Sequence, residues 1–168
     1  MGCICTVRID GTGNNAISTG AGNDIVTAGS GNDTITGGAG NDTFTGGAGV
    51  DSLTGGNGND VFVYNSAVPD QSGAGETIAG GNNTDTIVVA GGSTMVNFSN
   101  DSISNIETLE MTLDVLGNAD GNDQTVKMTD GQVDALSTIN ANDGNTAGSS
   151  DRIIISDTMT SDMLSNVA

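Results

Sequence analysis

Five aspartates, Asp24, Asp33, Asp42, Asp51 and Asp60, recur every nine residues. Each follows two glycines, four and two places before it: Gly20 and Gly22, Gly29 and Gly31, Gly38 and Gly40, Gly47 and Gly49, Gly56 and Gly58. Asn15 holds the same place one block earlier, and Asp85 holds it again after an interruption. A carboxylate is a hard, anionic oxygen donor. Glycine permits the positive φ angles of a sharp turn and leaves backbone carbonyls uncovered. Together these form the donor set of a hard divalent cation, and Ca2+ takes roughly six to eight such oxygens at ~2.3–2.6 Å. Catalysis is not expected. The chain has no His, so it carries neither a zinc-protease motif nor a Ser-His-Asp triad, and no G-x-S-x-G occurs.

The elements that must position these groups follow the same period. In blocks of nine the chain reads DGTGNNAIS (10–18), TGAGNDIVT (19–27), AGSGNDTIT (28–36), GGAGNDTFT (37–45), GGAGVDSLT (46–54) and GGNGNDVFV (55–63). The eighth position is always apolar: Ile17, Val26, Ile35, Phe44, Leu53, Phe62. Glycine at up to three of nine positions would melt a helix, and the apolar residues do not recur at helical spacing. The pattern predicts an all-β fold in which a six-residue turn precedes a three-residue strand in each block. Two blocks make a coil of 18 residues, and successive coils stack as parallel strands. Ile17, Ile35 and Leu53 then form one apolar column, and Val26, Phe44 and Phe62 the facing one. Asp24, Asp42 and Asp60 line one edge, Asp33 and Asp51 the other. Such a core is thin. Each buried apolar side chain contributes about 1.5–3 kcal/mol, against ~1–2 kcal/mol of backbone entropy for every residue ordered. Stacked carboxylates oppose folding further, unless a divalent cation lies between the turns.

Composition agrees. The net charge is −18, the only cations are Arg8, Lys127 and Arg152, and aromatics are 2%. A chain of this kind repels itself and stays open unless a cation or basic partner changes the balance. It lacks the positive footprint that nucleic-acid binding requires. No apolar run approaches the ~18 residues of a spanning helix. No N-terminal secretory signal is recognisable. Cys3 and Cys5 sit in an apolar first strand, CICTVRI, and MGCICT also fits the short N-myristoylation pattern.

The blocks resemble the nonapeptide G-G-x-G-x-D-x-U-x of RTX (repeats-in-toxin) proteins. The resemblance is unbroken over 10–63 and looser over 80–88, GGNNTDTIV. It implies a right-handed parallel β-roll with calcium bound in the turns. It also implies export by a type I system that reads a C-terminal signal, which fits the missing N-terminal one. Three departures matter. Asn15 replaces the first Asp, so a site shared with Asp33 should be weaker. Asn83 replaces the fourth-position glycine. Residues 1–9, read backwards in register, put Thr6 and Arg8 where an acid and an apolar residue belong, so this segment reads as a capping strand. RTX rolls often follow a protease or lipase domain, for which nine residues leave no room.

Residues 64–79 are an insertion holding the only Pro. Its Asp70 and Glu76 read either as solvated loop acids or as an end calcium site over the last coil. Residues 80–168 read as a degenerate repeat followed by a β-rich, solenoid-like extension. TIVVA, TMVNF, IETLEMTLDVL, TVKM and RIIIS are its expected strands, and TDGQVDAL a short capped helix or a turn. This part is similar to the β-rich segments between nonapeptide arrays in large RTX adhesins and calcium-dependent S-layer proteins. NADGND (118–123) and NANDGN (140–145) are acidic turns without EF-hand spacing. Glu107 and Glu110, three apart on one strand, should point to opposite faces rather than act as a pair. The expected protein is extracellular, folds on calcium, and assembles with itself or with neighbouring cell-surface subunits as an S-layer, filament or adhesin component. The alternative is a calcium-dependent folding and export module of a type I-secreted enzyme or toxin. The T-x-T pairs Thr34/Thr36 and Thr43/Thr45 suggest an ice-binding face, but Ile25, Val61 and Val63 interrupt it.

Overall fold

Each nonapeptide lays down one strand. A computed structural model describes residues 6–65, 75–90, 95–112, 125–142 and 152–155. The first half runs β1 (Thr6–Thr12), β2 (Ala16–Ala21), β3 (Ile25–Ser30), β4 (Thr34–Ala39), β5 (Thr43–Ala48), β6 (Ser52–Asn57) and β7 (Val61–Asn65). Strands two apart in sequence pair in parallel, with Ile17 opposite Ile35, Ile35 opposite Leu53, Val26 opposite Phe44 and Phe44 opposite Phe62. The coil is therefore the expected 18 residues, and the two apolar columns face each other as the core of a parallel β-roll.

The strands are twice as long as the expected three residues. β4 takes the last three positions of one block and the first three of the next. Gly38 pairs with Gly20 on one side and Gly56 on the other although its φ is 122°. A glycine at positive φ bends the chain without giving up lateral pairing, so only three residues are left for the turn, as in Gly40–Asn41–Asp42. The close stacking needs glycine for a second reason: a Cβ on Gly56 would stand 2.2 Å from the Gly38 carbonyl oxygen.

The leading strand is out of step. β1 pairs with β3, but Thr6 lies opposite Ile25 and the register shifts between Arg8 and Gly11. Thr6 thus does not occupy the level of Asp24, as the backward extension of the repeat had it. Cys3 and Cys5 lie outside the described residues.

The second half adds β8 (Thr77–Asn82), β9 (Thr86–Ala90), β10 (Met95–Asn97), β11 (Ser102–Ser104), β12 (Thr108–Thr112), β13 (Thr125–Met128), α1 (Asp130–Asp134), β14 (Thr138–Asn142) and β15 (Arg152–Ile155). β8 rejoins β6 and β9 rejoins β7, so the insertion does not break the stack. β10, β13 and β15 then build a third sheet. Each coil now has three sides instead of two: β8–β9–β10, then β11–β12–β13, then α1–β14–β15, where the helix stands in place of a strand. The cause is the second inward position of the strand. In the roll it is Thr19, Ala28, Gly37, Gly46 or Gly55, and the core stays thin. Two places after Phe62 it becomes Tyr64, opposite Val89, which in turn lies opposite Met111. These side chains open the core, and Phe98, Val96, Val126 and Met128 line the new wall. Phe98 meets Tyr64 edge-on with ring centroids 4.9 Å apart.

Helix α1 stands at the point of the coil that β8 and β11 occupy before it. Thr129 and Gln132 form a reciprocal capping box. The Gln132 amide also donates to the carbonyls of Phe98 and Asp101, and Val133 and Leu136 pack on the core. The sequence did not signal β11 or β14. Residues 118–123 lie outside the described residues, and 140–142 belong to β14. Among the described residues no helix is long and apolar enough to cross a membrane.

Candidate metal centre

The sixth residue of each block closes the turn immediately before a strand. Its side chain folds inward under the turn, so Asp24, Asp33, Asp42, Asp51, Asp60 and Asp85 are all at most 3% exposed. One carboxylate oxygen reaches back along the roll axis. Oδ1 of Asp42 accepts the backbone N–H of Asp24, that of Asp60 accepts Asp42, and that of Asp85 accepts Asp60, each at 2.8 Å. On the other edge Oδ1 of Asp33 accepts the N–H of Asn15, and that of Asp51 accepts Asp33. Asn15 also donates its side-chain amide to Asp33 Oδ1 and Gly13 O, so it sits in the ladder as a donor.

Both ladders continue beyond the glycine-rich blocks. Glu107 Oε2 accepts the N–H of Asp85 at 2.8 Å. On the other edge Glu76 follows Asp51, since Thr77 pairs with Ser52, and Asp101 Oδ1 accepts the N–H groups of Gly75 and Glu76. One ladder is thus Asp24, Asp42, Asp60, Asp85, Glu107, and the other Asn15, Asp33, Asp51, Glu76, Asp101. Asp101 and Glu107 were not among the expected site residues, and Glu76 was expected only as a loop acid or an end cover. Their signal is an acid–hydroxyl–apolar triplet, Glu76-Thr77-Ile78, Asp101-Ser102-Ile103 and Glu107-Thr108-Leu109. It matches Asp42-Thr43-Phe44 but lacks most of the glycines. Glu107 precedes β12 rather than lying on it beside Glu110.

An asparagine ladder runs beside the acids in the opposite sense. Oδ1 of Asn14, Asn23, Asn32 and Asn41 accepts the N–H of the residue eighteen places later, at 2.9–3.1 Å. These exposed bonds fix the spacing of successive turns. The predicted glycines lie in the same stack: the carbonyls of Gly20, Gly22, Gly29, Gly31, Gly38 and Gly40 point at Gly38, Gly40, Gly47, Gly49, Gly56 and Gly58 of the next coil.

The second carboxylate oxygen matters most. Oδ2 of Asp33, Asp42, Asp60, Asp85 and Asp101 is buried and has no hydrogen-bond partner. A Cβ on Gly37 would meet Asp42 Oδ2 at 2.2 Å and the Gly55 carbonyl at 2.9 Å. A Cβ on Gly55 would meet Asp60 Oδ2 and the Gly80 carbonyl in the same way. At these two levels of the first ladder, carboxylate and carbonyl oxygens therefore converge on one cradle. Burial pushes Asp42, Asp51, Asp85 and Asp101 above the usual carboxylate range, against the N–H bonds they accept. Burial pushes Asp60 up to about 6, with repulsion from Asp85 and Asp42 adding to it. Beside the second ladder the buried Tyr64 hydroxyl donates to Glu76 Oε2 at 2.5 Å. Burial first, then the Glu76 charge, holds Tyr64 well above the usual phenol range, so it remains a donor.

Buried anionic oxygens beside carbonyls, with too few N–H donors to satisfy them, suit a hard cation that binds oxygen. Calcium fits this donor set. Among the described residues no three acidic, His or Cys side chains converge, so an ion here would need carbonyl oxygens beside the carboxylates.

The fold and these ladders define a parallel β-solenoid with stacked acidic turns built for cations. Residues 9–35 and 27–62 match the family model of the RTX calcium-binding nonapeptide repeat, in four copies. No curated protein and no solved structure matches the chain.

Proposed function

We propose that this RTX-type calcium-binding protein is a secreted structural component of the cell surface that folds when calcium loads its turns. The observation that carries the reading is the pair of buried carboxylate ladders. Without cations they oppose the coil stacking that the backbone requires. In a compartment poor in calcium the −18 charge keeps the chain open. Outside the cell, binding free energy becomes folding free energy. The three-sided extension favours a structural role of S-layer, filament or adhesin type, with self-assembly or neighbouring surface subunits as partners. No enzymatic role is proposed, since the chain has no His and no catalytic motif. A folding and export module of a secreted enzyme is the second reading, favoured by the RTX repeats alone. Circular dichroism and negative-stain imaging with and without calcium test the proposal. Coil without calcium, then β structure and ordered assemblies with it, is the expected result. Native β structure in excess chelator would refute the folding coupling. A strict monomer at millimolar calcium would refute the assembly role.

A further inference from the structure

The cradle of the first ladder is built three times, and the third lies beyond the last glycine-rich block. Its members are Gly80, Asp85 and Asn105. A Cβ on Gly80 would stand 2.3 Å from Asp85 Oδ2 and 1.9 Å from the Asn105 carbonyl oxygen. Asn105 takes the role that a glycine carbonyl has one level earlier. Its φ is 53°, a left-handed conformation that asparagine tolerates. Asp85 is 0% exposed, and its Oδ2 has no hydrogen-bond partner.

The next carboxylate is Glu107. Its Oε2 takes the Asp85 N–H at the same 2.8 Å at which Asp85 takes that of Asp60. The Glu107 carbonyl is held in turn by the N–H of Ser137, its hydroxyl and the N–H of Thr138. Ser137 occupies the following level, so among the described residues Glu107 is the last acid of this ladder.

We propose that Asp85 and Glu107, with the Asn105 carbonyl, form a further divalent-cation site of oxygen donors where the two-sheeted roll passes into the three-sheeted coils. The proposal rests on the calcium reading of the array. It extends that reading to a site that joins the degenerate repeat to the segment after it, with one Glu and one Asn in place of Asp and Gly. Two neighbouring carboxylates are also what the Asp42–Asp60 and Asp60–Asp85 levels offer. β12 begins one residue after Glu107, so loading this site fixes the start of the first coil that lies wholly outside the blocks.

Native mass spectrometry of the full chain at saturating calcium tests the site, with Glu107→Gln compared to Glu110→Gln. Glutamine keeps an oxygen for the Asp85 N–H and removes only the charge. The expected result is one calcium fewer in Glu107→Gln and an unchanged count in Glu110→Gln. Equal counts in both variants would overturn the proposal. Glu107→Asp, which keeps the charge but withdraws it by one methylene, guards against a folding defect. It should raise the calcium concentration at which the Thr108–Thr112 amides become protected from hydrogen exchange. An unshifted midpoint would overturn the site. Wild-type protein that binds no calcium would overturn the array reading and this site together. Loss confined to Glu107→Gln would support both.

Discussion

Asp60 Oδ1 accepts the backbone N–H of Asp42 at 2.8 Å, while Asp60 Oδ2 lies buried with no hydrogen-bond donor. One oxygen of the carboxylate thus fixes the coil spacing, and the other is buried without a donor. The same division recurs at Asp33, Asp42 and Asp85, so each of these residues stacks the coils with one oxygen and keeps the other buried and unsatisfied.

Acid should partly replace calcium. Asp60 titrates at about 6 in the fold, against roughly 3.9 in an unfolded chain. Its folded pKa is raised, so the folded state holds the proton more tightly. Below ~3.9 both states are protonated and no charge is buried. As pH rises from there through 6 the fold loses relative stability, and above 6 the full penalty applies. Metal-free protein should therefore show more β structure near about pH 5 than near about pH 7.5. Calcium reverses the order, because a protonated carboxyl is a poor ligand. Circular dichroism at both pH values, with chelator and with calcium, checks the reversal.

Gly56→Ala should destabilise the roll by about 1–3 kcal/mol from backbone strain alone, with the clash against Gly38 O added. Gly131→Ala, in helix α1 with open space where its Cβ would stand, should be neutral or stabilising by roughly 0.5–1 kcal/mol. Denaturation midpoints in calcium separate the two. Equal effects would mean that the coils do not stack as closely as described.

The apolar columns and the acidic edges were legible because a strict period of nine places Phe44 over Phe62 and Asp42 over Asp60. Strand length was not. Gly38 reads as a turn residue by type, and only its pairing with Gly20 and Gly56 makes it part of a strand. The third sheet was hidden for a different reason. It follows from Tyr64, Val89 and Met111 replacing small residues inside the coil, which changes core width and not periodicity. Coil lengths also become irregular there, with 25 residues between Asp60 and Asp85, 22 between Asp85 and Glu107 and 30 between Glu107 and Ser137. Glu107 and Asp101 were lost with the period.

Phe44→Ala should cost about 3–5 kcal/mol. The ring is fully buried and its centroid lies 5.3 Å from that of Phe62. Thr45→Ala, one residue on and facing the other side of β5, should stay within about 0.5 kcal/mol. Urea unfolding in saturating calcium measures both. Similar losses would place the wrong face of the strand inside.

The acids of one ladder should not be equivalent. Asp42 holds the N–H of Asp24 and gives its own N–H to Asp60, so it has an acid of the ladder on each side. Asp24 gives its N–H to Asp42, but beyond it β1 is out of step and Thr6 lies opposite Ile25. Among the described residues no acid of the ladder precedes Asp24. Removing Asp42 therefore deprives the acids on both sides of a neighbour and interrupts the stack, whereas removing Asp24 shortens it at one end. Asp42→Ala should raise the calcium midpoint for folding, and lower the steepness of the transition, more than Asp24→Ala does. Asp130→Ala, in helix α1 outside both ladders, should change neither. Calcium titrations of the three variants, followed by circular dichroism, decide the matter. If Asp24→Ala proves as damaging as Asp42→Ala, the first coil carries a cation ligand that precedes Asp24, and loading begins there rather than in the middle of the roll.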